Sequence, residues 1–568
     1  VSERDYLPPP PAGFPGRSAP PRGDGAEAPT PPPPDSHPGR TEPPRLGRPA
    51  HAKRSGDARQ ELRTLARGGS LSLVGMVTNA ILGFAFVVIV SHTLHLSAAG
   101  SLFEATAAFS ICAQTAELGA DTGLLRNMVI FRHRRPQDSK RLATVALVPS
   151  GLMAILVAVA VFLFAPQIAH VFVTHGDLRT HHDAPEQLRF LAVFLPLQTT
   201  MTVMLAGTRG WSIRPSVFVT FFVVPAARLI FLGGFVILGM TAITATMAWG
   251  VPLAIGFGVT AYVLLTNLRR DERDLTATAA EVPAPYWEIA KTFWKFSLPR
   301  SLAGIFQVII QWLDVLLVGA LMSVAAAAPY TVAGRYVTIG VFALQAIAFA
   351  IAPNVSRLID ARQLPEARRL YQSSSWWAMG ISWPILLVLS VFAPFFMSLF
   401  GHKYTEGNVA LEIMALGALV SAGTGNNSAV LLMGGKSSAN LIISAGSVIL
   451  NVALNLLLIP HIGLAGGAIA LAASILHSNF WNSLLIWRSF RIQPFARGYL
   501  VVAGSAVVLY GLIGLAVRAT FGTGFAVVAI FSIVATIPYA AAIYAKRDLL
   551  DLHAFQALMG RRFSGRTA

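Results

Sequence analysis

Fourteen stretches of this chain are apolar over the length a helix needs to cross a bilayer, about 20 residues. They fall at roughly 69–95, 98–120, 142–166, 188–208, 215–238, 241–267, 298–321, 328–354, 374–400, 408–433, 439–460, 463–487, 498–517 and 522–545. The runs are continuous and lack the two-residue alternation of a membrane barrel, so helices are expected. The pattern predicts an all-α polytopic membrane protein, with the second and tenth spans the least hydrophobic. The longest connection on the outer side is expected at residues 167–187, too short to carry a catalytic domain.

Composition agrees with lipid as the solvent. Of 568 residues, 54% are hydrophobic and 12% charged, against roughly 25% charged in soluble domains. Mean hydropathy is +0.59. The net charge of +17 is not spread as on a nucleic-acid-binding surface, because Lys and Arg sit between the apolar runs. Arg126, Arg132, Arg134, Arg135, Lys140 and Arg141, then Arg269, Arg270, Arg273, Lys291, Lys295 and Arg300, then Arg357, Arg362, Arg368 and Arg369 all fall in connections on one predicted side. The other side holds Arg179, Arg189, Lys403 and Arg518. By the positive-inside rule the expectation is a multi-pass protein of the cell's inner (plasma) membrane with both termini cytoplasmic. The single cysteine, Cys112, lies in an apolar run and reads as a small buried hydrophobe. No secretory signal opens the chain, and residues 1–65 are Pro-, Gly- and Arg-rich, which predicts a disordered cytoplasmic tail. No phosphate loop, dinucleotide fingerprint or metal-ligand spacing is present, and His181-His182-Asp183 reads as a fortuitous cluster, so no cofactor, metal or enzymatic activity is expected.

The segment from Leu73 aligns without gaps on that from Leu302, with Gly75 on Gly304 and Ser97-Ala98-Ala99-Gly100 on Ala326-Ala327-Ala328-Pro329. Both copies start on the same side, which predicts a parallel pseudo-repeat. The expected organisation is a tail at 1–65, a six-helix bundle at 66–268, a cytoplasmic linker at 269–296 and a second six-helix bundle at 297–490. An additional helix pair at 491–545 and a basic tail at 546–568 complete it.

Polar residues recur at helical spacing inside four spans: Thr106, Ser110, Gln114, Glu117 and Asp121; Gln307, Gln311 and Asp314; Thr331, Arg335, Thr338 and Gln345; Asn440, Ser444, Ser447, Asn451 and Asn455. Such stripes avoid lipid and predict a hydrated internal cavity, with helix–helix contact the simpler alternative. Asp314 and Arg335 each lie seven residues from the outer end of consecutive helices. Both are then about 10 Å deep at about 1.5 Å per residue. An ion pair between them is expected to be either structural or switchable, with Arg335 meeting an anion and Asp314 a coupling cation. Arg228, after Pro225, has no acid in its own or the next helix. Its planar fork suits phosphate, and the alternative is a contact to freed carbonyls. The substrate-binding candidates are thus Arg228, Arg335, Gln307 and Gln311, and the ion candidates Asp314, Glu104 and Glu117. Glu104 lies off its helix's polar stripe and is expected to snorkel to the outer interface. Glu117, Asp121 and Arg126 are expected to form an inner network. Gly423-Thr424-Gly425-Asn426-Asn427 marks either a local break in the tenth span or close helix packing.

The stretch Asn455-Leu-Leu-Leu-Ile-Pro460-His-Ile-Gly463-Leu-Ala-Gly466-Gly467-Ala468-Ile-Ala470 resembles the signature of the polysaccharide-biosynthesis (Wzx-like) flippases. These belong to the multidrug/oligosaccharidyl-lipid/polysaccharide (MOP) exporter superfamily. Trp312-Leu-Asp314 through Gly319 to Tyr330-Thr-Val-Ala-Gly-Arg335 is similar to their seventh and eighth helices, and the likeness covers roughly residues 65–490. It implies two six-helix bundles around a central cavity, alternating access, and a lipid-linked sugar carried to the outer leaflet. Partners would be that substrate, membrane lipids and polysaccharide-assembly proteins, and no nucleic acid. The alternatives are a cation-coupled multidrug exporter, a peptidoglycan lipid-precursor flippase, and a scaffold that transports nothing.

Overall fold

A computed structural model of the chain describes residues 74–172, 178–276, 284–345, 347, 358, 362–425, 427–547 and 550. Both predicted tails, apart from a few residues after α14 below, lie outside them. The described residues are helical and contain no strand. Among the described residues, thirteen helices are long and apolar enough to cross a membrane. They are α1 (Val74–Thr93), α2 (Leu96–Glu117), α3 (Ser139–Leu163), α4 (Asp183–Thr208), α5 (Ile213–Leu238), α6 (Ala242–Arg273) and α7 (Tyr286–Leu321). After α8 come α9 (Leu364–Val391), α10 (His402–Thr424), α11 (Ser438–Ile462), α12 (Leu464–Phe490), α13 (Arg497–Phe521) and α14 (Phe525–Ala545). Between α7 and α9 stands α8 (Val324–Gly340), at the predicted eighth span, most of whose second half lies outside the described residues.

The polar second helix is the one the others close around. Thirteen of its residues are buried, and it packs against α4 as well as α7 and α8. Small residues permit this. A methyl group at Gly100 would overlap the Val324 carbonyl oxygen, and one at Gly319 the Glu104 carboxylate. Such close approach is how helices pack without a hydrophobic driving force between them. Beyond it, α9, α10, α11 and α12 pack as neighbours in pairs, and α13 docks on α9. Lipid-facing positions stay apolar: Ile237 is 86% and Ile442 71% exposed.

Several predicted boundaries shift for identifiable reasons. The second span stops at Glu117, because Leu118 and Gly119 take positive φ of 52° and 70°. Gly119 lies against the Ser297 backbone, where a side chain would clash. Asp121 therefore belongs to a separate helix, Ala120–Arg134, and leaves the stripe of α2. The outer connection after α3 is not an open loop. Ala165–Phe172 is a helix whose Ala165 and Ala169 pack into the same core as α4. The hydrophilic stretch between α6 and α7 is largely helix, since the helix begun in α6 runs to Thr276 and α7 starts at Tyr286. In the tenth span the break occurs at Gly425, with φ 70°.

Candidate functional site

The sequence of α5 creates its own irregularity. Pro225 lacks an amide hydrogen, and the turn before it, Val219–Val223, is wound as a π-helix. Such turns are inserted where a helix is locally overfilled and often mark working sites. Arg228 follows one turn later. Opposite it, α6 is interrupted between Gly250 and Pro252. Arg228 Nε donates to the Trp249 carbonyl at 3.1 Å, and its guanidinium lies 3.9 Å from the Trp249 ring centroid. Arg228 thus meets a backbone carbonyl, but one of α6 next to its interruption and not one freed by Pro225.

Arg335 projects from α8 over Trp312, 5.4 Å from the ring centroid. It makes no hydrogen bond or ion pair among the described residues. Both arginines line one cavity of about 460 Å³ between α1, α2, α5 and α8, together with Trp249, Trp312, Thr106, Thr338, Gln345 and Asn79. Among the described residues no carboxylate lines it, and the two guanidinium groups repel one another electrostatically. An unneutralised pair of planar, weakly hydrated cations stacked on indole rings has the chemistry to accept an anion, because each fork still has donors to offer.

The ion pair expected between Asp314 and Arg335 is not formed. Asp314 points the other way round α7, toward α11. Tyr330 donates its hydroxyl to Asp314 Oδ2 at 3.2 Å, and Asn455 Nδ2 donates to Oδ1 at 2.8 Å. Asn455 also reaches the Asn451 carbonyl at 2.9 Å. Asp314 is 3% exposed, and Asn451 Nδ2 and Asn455 Oδ1 beside it have no partner among the described residues. The two side chains leave their helices on different faces: Asp314 meets Tyr330 and Asn455, and Arg335 lies over Trp312.

Glu104 does not snorkel. It is 4% exposed, its carboxylate faces Gly319 of α7, and Oε1 has no hydrogen-bond partner. The small residue opposite, not the lipid surface, sets its direction. Glu117 accepts from Gln114 Nε2 at 3.1 Å, and Gln114 in turn lies against Gly304 of α7. Of the expected network of Glu117, Asp121 and Arg126, the two carboxylates lie near enough to act on one another and Arg126 turns elsewhere. Asp121 is beside Thr122, and Arg126 stacks 4.3 Å from the Phe296 ring centroid. Arg209, in the turn after α4, has its guanidinium pushed below its ordinary range by burial, which the charge of Asp121 opposes.

Gln307 lines a second cavity of about 760 Å³ formed by α7, α11 and α12. Gln311, one turn on, is exposed and lines neither cavity. Sequence reasoning missed Trp249, Trp312 and Tyr330, which hold the charged groups. The usable signal covered two of the three: Trp312 stands two residues before Asp314 and Tyr330 five before Arg335, although each aromatic serves the charge on the other helix. Nothing near Arg228 in sequence points to Trp249.

A third space adjoins the arginine cavity. An apolar groove of about 590 Å³ runs between α1, α8 and α9, lined by Val77, Ile81, Ile381 and Ile385 among others. Ala80, Phe84, Ile339 and Phe342 line both spaces, so one wall separates them.

Comparison with known proteins places this geometry. Residues 299–457 match the MatE family model. Over 251 residues the chain is 26% identical to the "Probable low-salt glycan biosynthesis flippase Agl15" of Haloferax volcanii, covering 42% of this chain and 51% of that protein. The chain thus spans about half the length of the curated relative it matches. Among solved structures, the lipid II flippase MurJ in an inward closed conformation superposes with a TM-score of 0.66 at 12% identity, covering 84% of this chain and 99% of that one. An inward-facing multidrug resistance MATE family transporter gives 0.59 at 16% identity, covering 72% and 95%.

Proposed function

We infer that this chain, which belongs to the MOP exporter superfamily, moves a lipid-linked saccharide across the inner (plasma) membrane by alternating access, and is not an enzyme. The observation that carries the reading is the pair Arg228 and Arg335 in one carboxylate-free cavity walled by residues shared with an apolar groove open to lipid. A polyprenyl diphosphate presents the matching chemistry: two phosphates beside a long hydrocarbon chain. The diphosphate takes the free guanidinium donors, in charge-assisted bonds roughly twice as strong as neutral ones. The tail stays in the groove between α1 and α8 and never enters the polar interior. The relative and neighbour named as flippases support the same substrate class.

In this reading α1–α6 and α7–α12 are the two moving bundles, α13 and α14 the added pair, and both termini are cytoplasmic. Asp314, buried with Tyr330, Asn451 and Asn455, is the coupling-ion candidate, with Glu104 and Glu117 in reserve. A membrane potential supplies about 2.3 kcal/mol per charge per 100 mV for such coupling. Polysaccharide-assembly proteins are its expected neighbours. The neighbour named as a multidrug resistance MATE family transporter favours a second reading, a cation-coupled multidrug exporter, but two unneutralised arginines in the cavity would repel a cationic drug.

The test is leaflet accessibility of a fluorescent undecaprenyl-diphosphate saccharide in proteoliposomes. Arg228→Ala and Arg335→Ala are each expected to slow its appearance in the opposite leaflet at least tenfold, while the fold, read by thermal unfolding, is retained. Wild-type rates in both variants would remove the anion site. Faster efflux of a cationic dye than of the lipid in the native protein would favour the drug exporter.

A further inference from the structure

We propose that the cavity of about 760 Å³ between α7, α11 and α12 is a separate subsite for the uncharged sugar of the substrate. The proposal rests on the transport reading above and adds to it a second site and the chemistry that fills it.

The cleft and the arginine cavity share no lining residue. They open on different faces of α7: Trp312 belongs to the arginine cavity, Gln307 and Ile310 to the cleft. The wall contributed by α11 and α12 is built of hydroxyls and amides, among them Ser444, Ser447, Asn440 and Asn482. Two of these amides are incompletely satisfied. Asn440 is 8% and Asn482 2% exposed, and the Oδ1 atom of each lacks a hydrogen-bond partner among the described residues. Asn482 uses its Nδ2 on Ser428 at 3.2 Å, so the acceptor is what remains. Buried polar atoms are normally paired, and an unpaired one costs about 1–3 kcal/mol.

The orphaned groups also select their partner. An amide oxygen accepts and cannot donate, so a phosphate, itself an acceptor, does not satisfy it. A cation could be held by amide oxygens, but no carboxylate lines the cleft, and Lys295 and Arg300 line it. Sugar hydroxyls donate to amide oxygens and accept from serine hydroxyls. The volume lies within the range of about 300–1,000 Å³ typical of small-molecule sites. The same substrate can then be held at two places, by its diphosphate in one and its sugar in the other.

The experiment compares two probes on the full chain in lipid nanodiscs: undecaprenyl diphosphate, and undecaprenyl diphosphate bearing N,N′-diacetylchitobiose. The native protein is expected to bind the saccharide form at least tenfold more tightly. Asn482→Leu and Ser444→Leu are each expected to shrink that difference to less than threefold and leave the affinity for undecaprenyl diphosphate unchanged. Ser444 is partly exposed, so its replacement fills the cleft even if Asn482→Leu fails to fold. Arg335→Ala should weaken both probes alike. Equal affinities in the native protein, or a sugar preference that survives Ser444→Leu, overturns the subsite. Failure of both probes to bind the native protein would instead sink the transport reading.

Discussion

A charge inside an apolar run announces itself, but not the neighbour it answers to. Arg228, Arg335, Asp314 and Glu104 were all legible as exceptional residues, because polar groups at bilayer depth demand a partner or water. Their partners were not, since those come from other helices whose rotation no single-helix pattern fixes. Asp314 found Tyr330 and Asn455 instead of Arg335, and Glu104 was turned inward by a gap at Gly319. That gap is testable. Gly319→Ala forces a methyl group into the buried Glu104 carboxylate and is expected to lower stability by about 1–3 kcal/mol, as overpacking does. Glu104→Ala should largely reverse the loss when the two are combined, as read by thermal unfolding in detergent. An additive loss in the double variant would mean that the two residues do not meet.

Hydropathy placed the helices well and their interruptions poorly. Leu118–Gly119 and Gly425 sit at tertiary contacts that hydropathy does not weigh, and the π-turn ahead of Pro225 is a local backbone feature it does not register either. Gly425 is informative because described residues on both sides of it share one partner. The helix ends at Thr424, whose hydroxyl donates to Asn479 Oδ1 at 2.6 Å, and Asn427 Nδ2 on the far side of the break donates to the same oxygen at 3.1 Å. One amide oxygen on α12 thus gathers both ends of the broken segment. The run of glycines and amides suggested either a break or close packing, and both occur: Gly423 lies against Tyr499 and Trp383. Gly425→Ala is expected to cost about 1–2 kcal/mol from the left-handed backbone alone. Asn479→Leu should cost about 1–3 kcal/mol by stranding buried donors. Melting temperatures within error of the native protein for both variants would show that the break is not held by these groups.

At the scale of the molecule, function depends on spaces that adjoin, and adjacency is the property least visible in a sequence. A likeness between the segments from Leu73 and Leu302 can be read from small residues along the chain; a groove between α1, α8 and α9 cannot. The added pair bears on this groove through α9. Tyr539 of α14 donates to the Gly380 carbonyl at 3.0 Å, and Arg518 of α13 donates to the Val391 carbonyl at 2.7 Å. Those contacts brace the flank of α9 that carries Ile381 and Ile385, two walls of the groove. If the groove holds the hydrocarbon tail while the arginines hold the diphosphate, filling it should stop transport without touching any charge. Ala343 lines the groove and not the arginine cavity, so Ala343→Trp occupies only the tail's space. The expected result is at least a tenfold slower movement of an undecaprenyl-linked saccharide in proteoliposomes. Ile442→Trp, at an equally apolar lipid-facing position outside the groove, should leave the rate unchanged. Annular lipid exchanging freely through the groove predicts instead that the two substitutions behave alike, and the tail would then have to travel along another face.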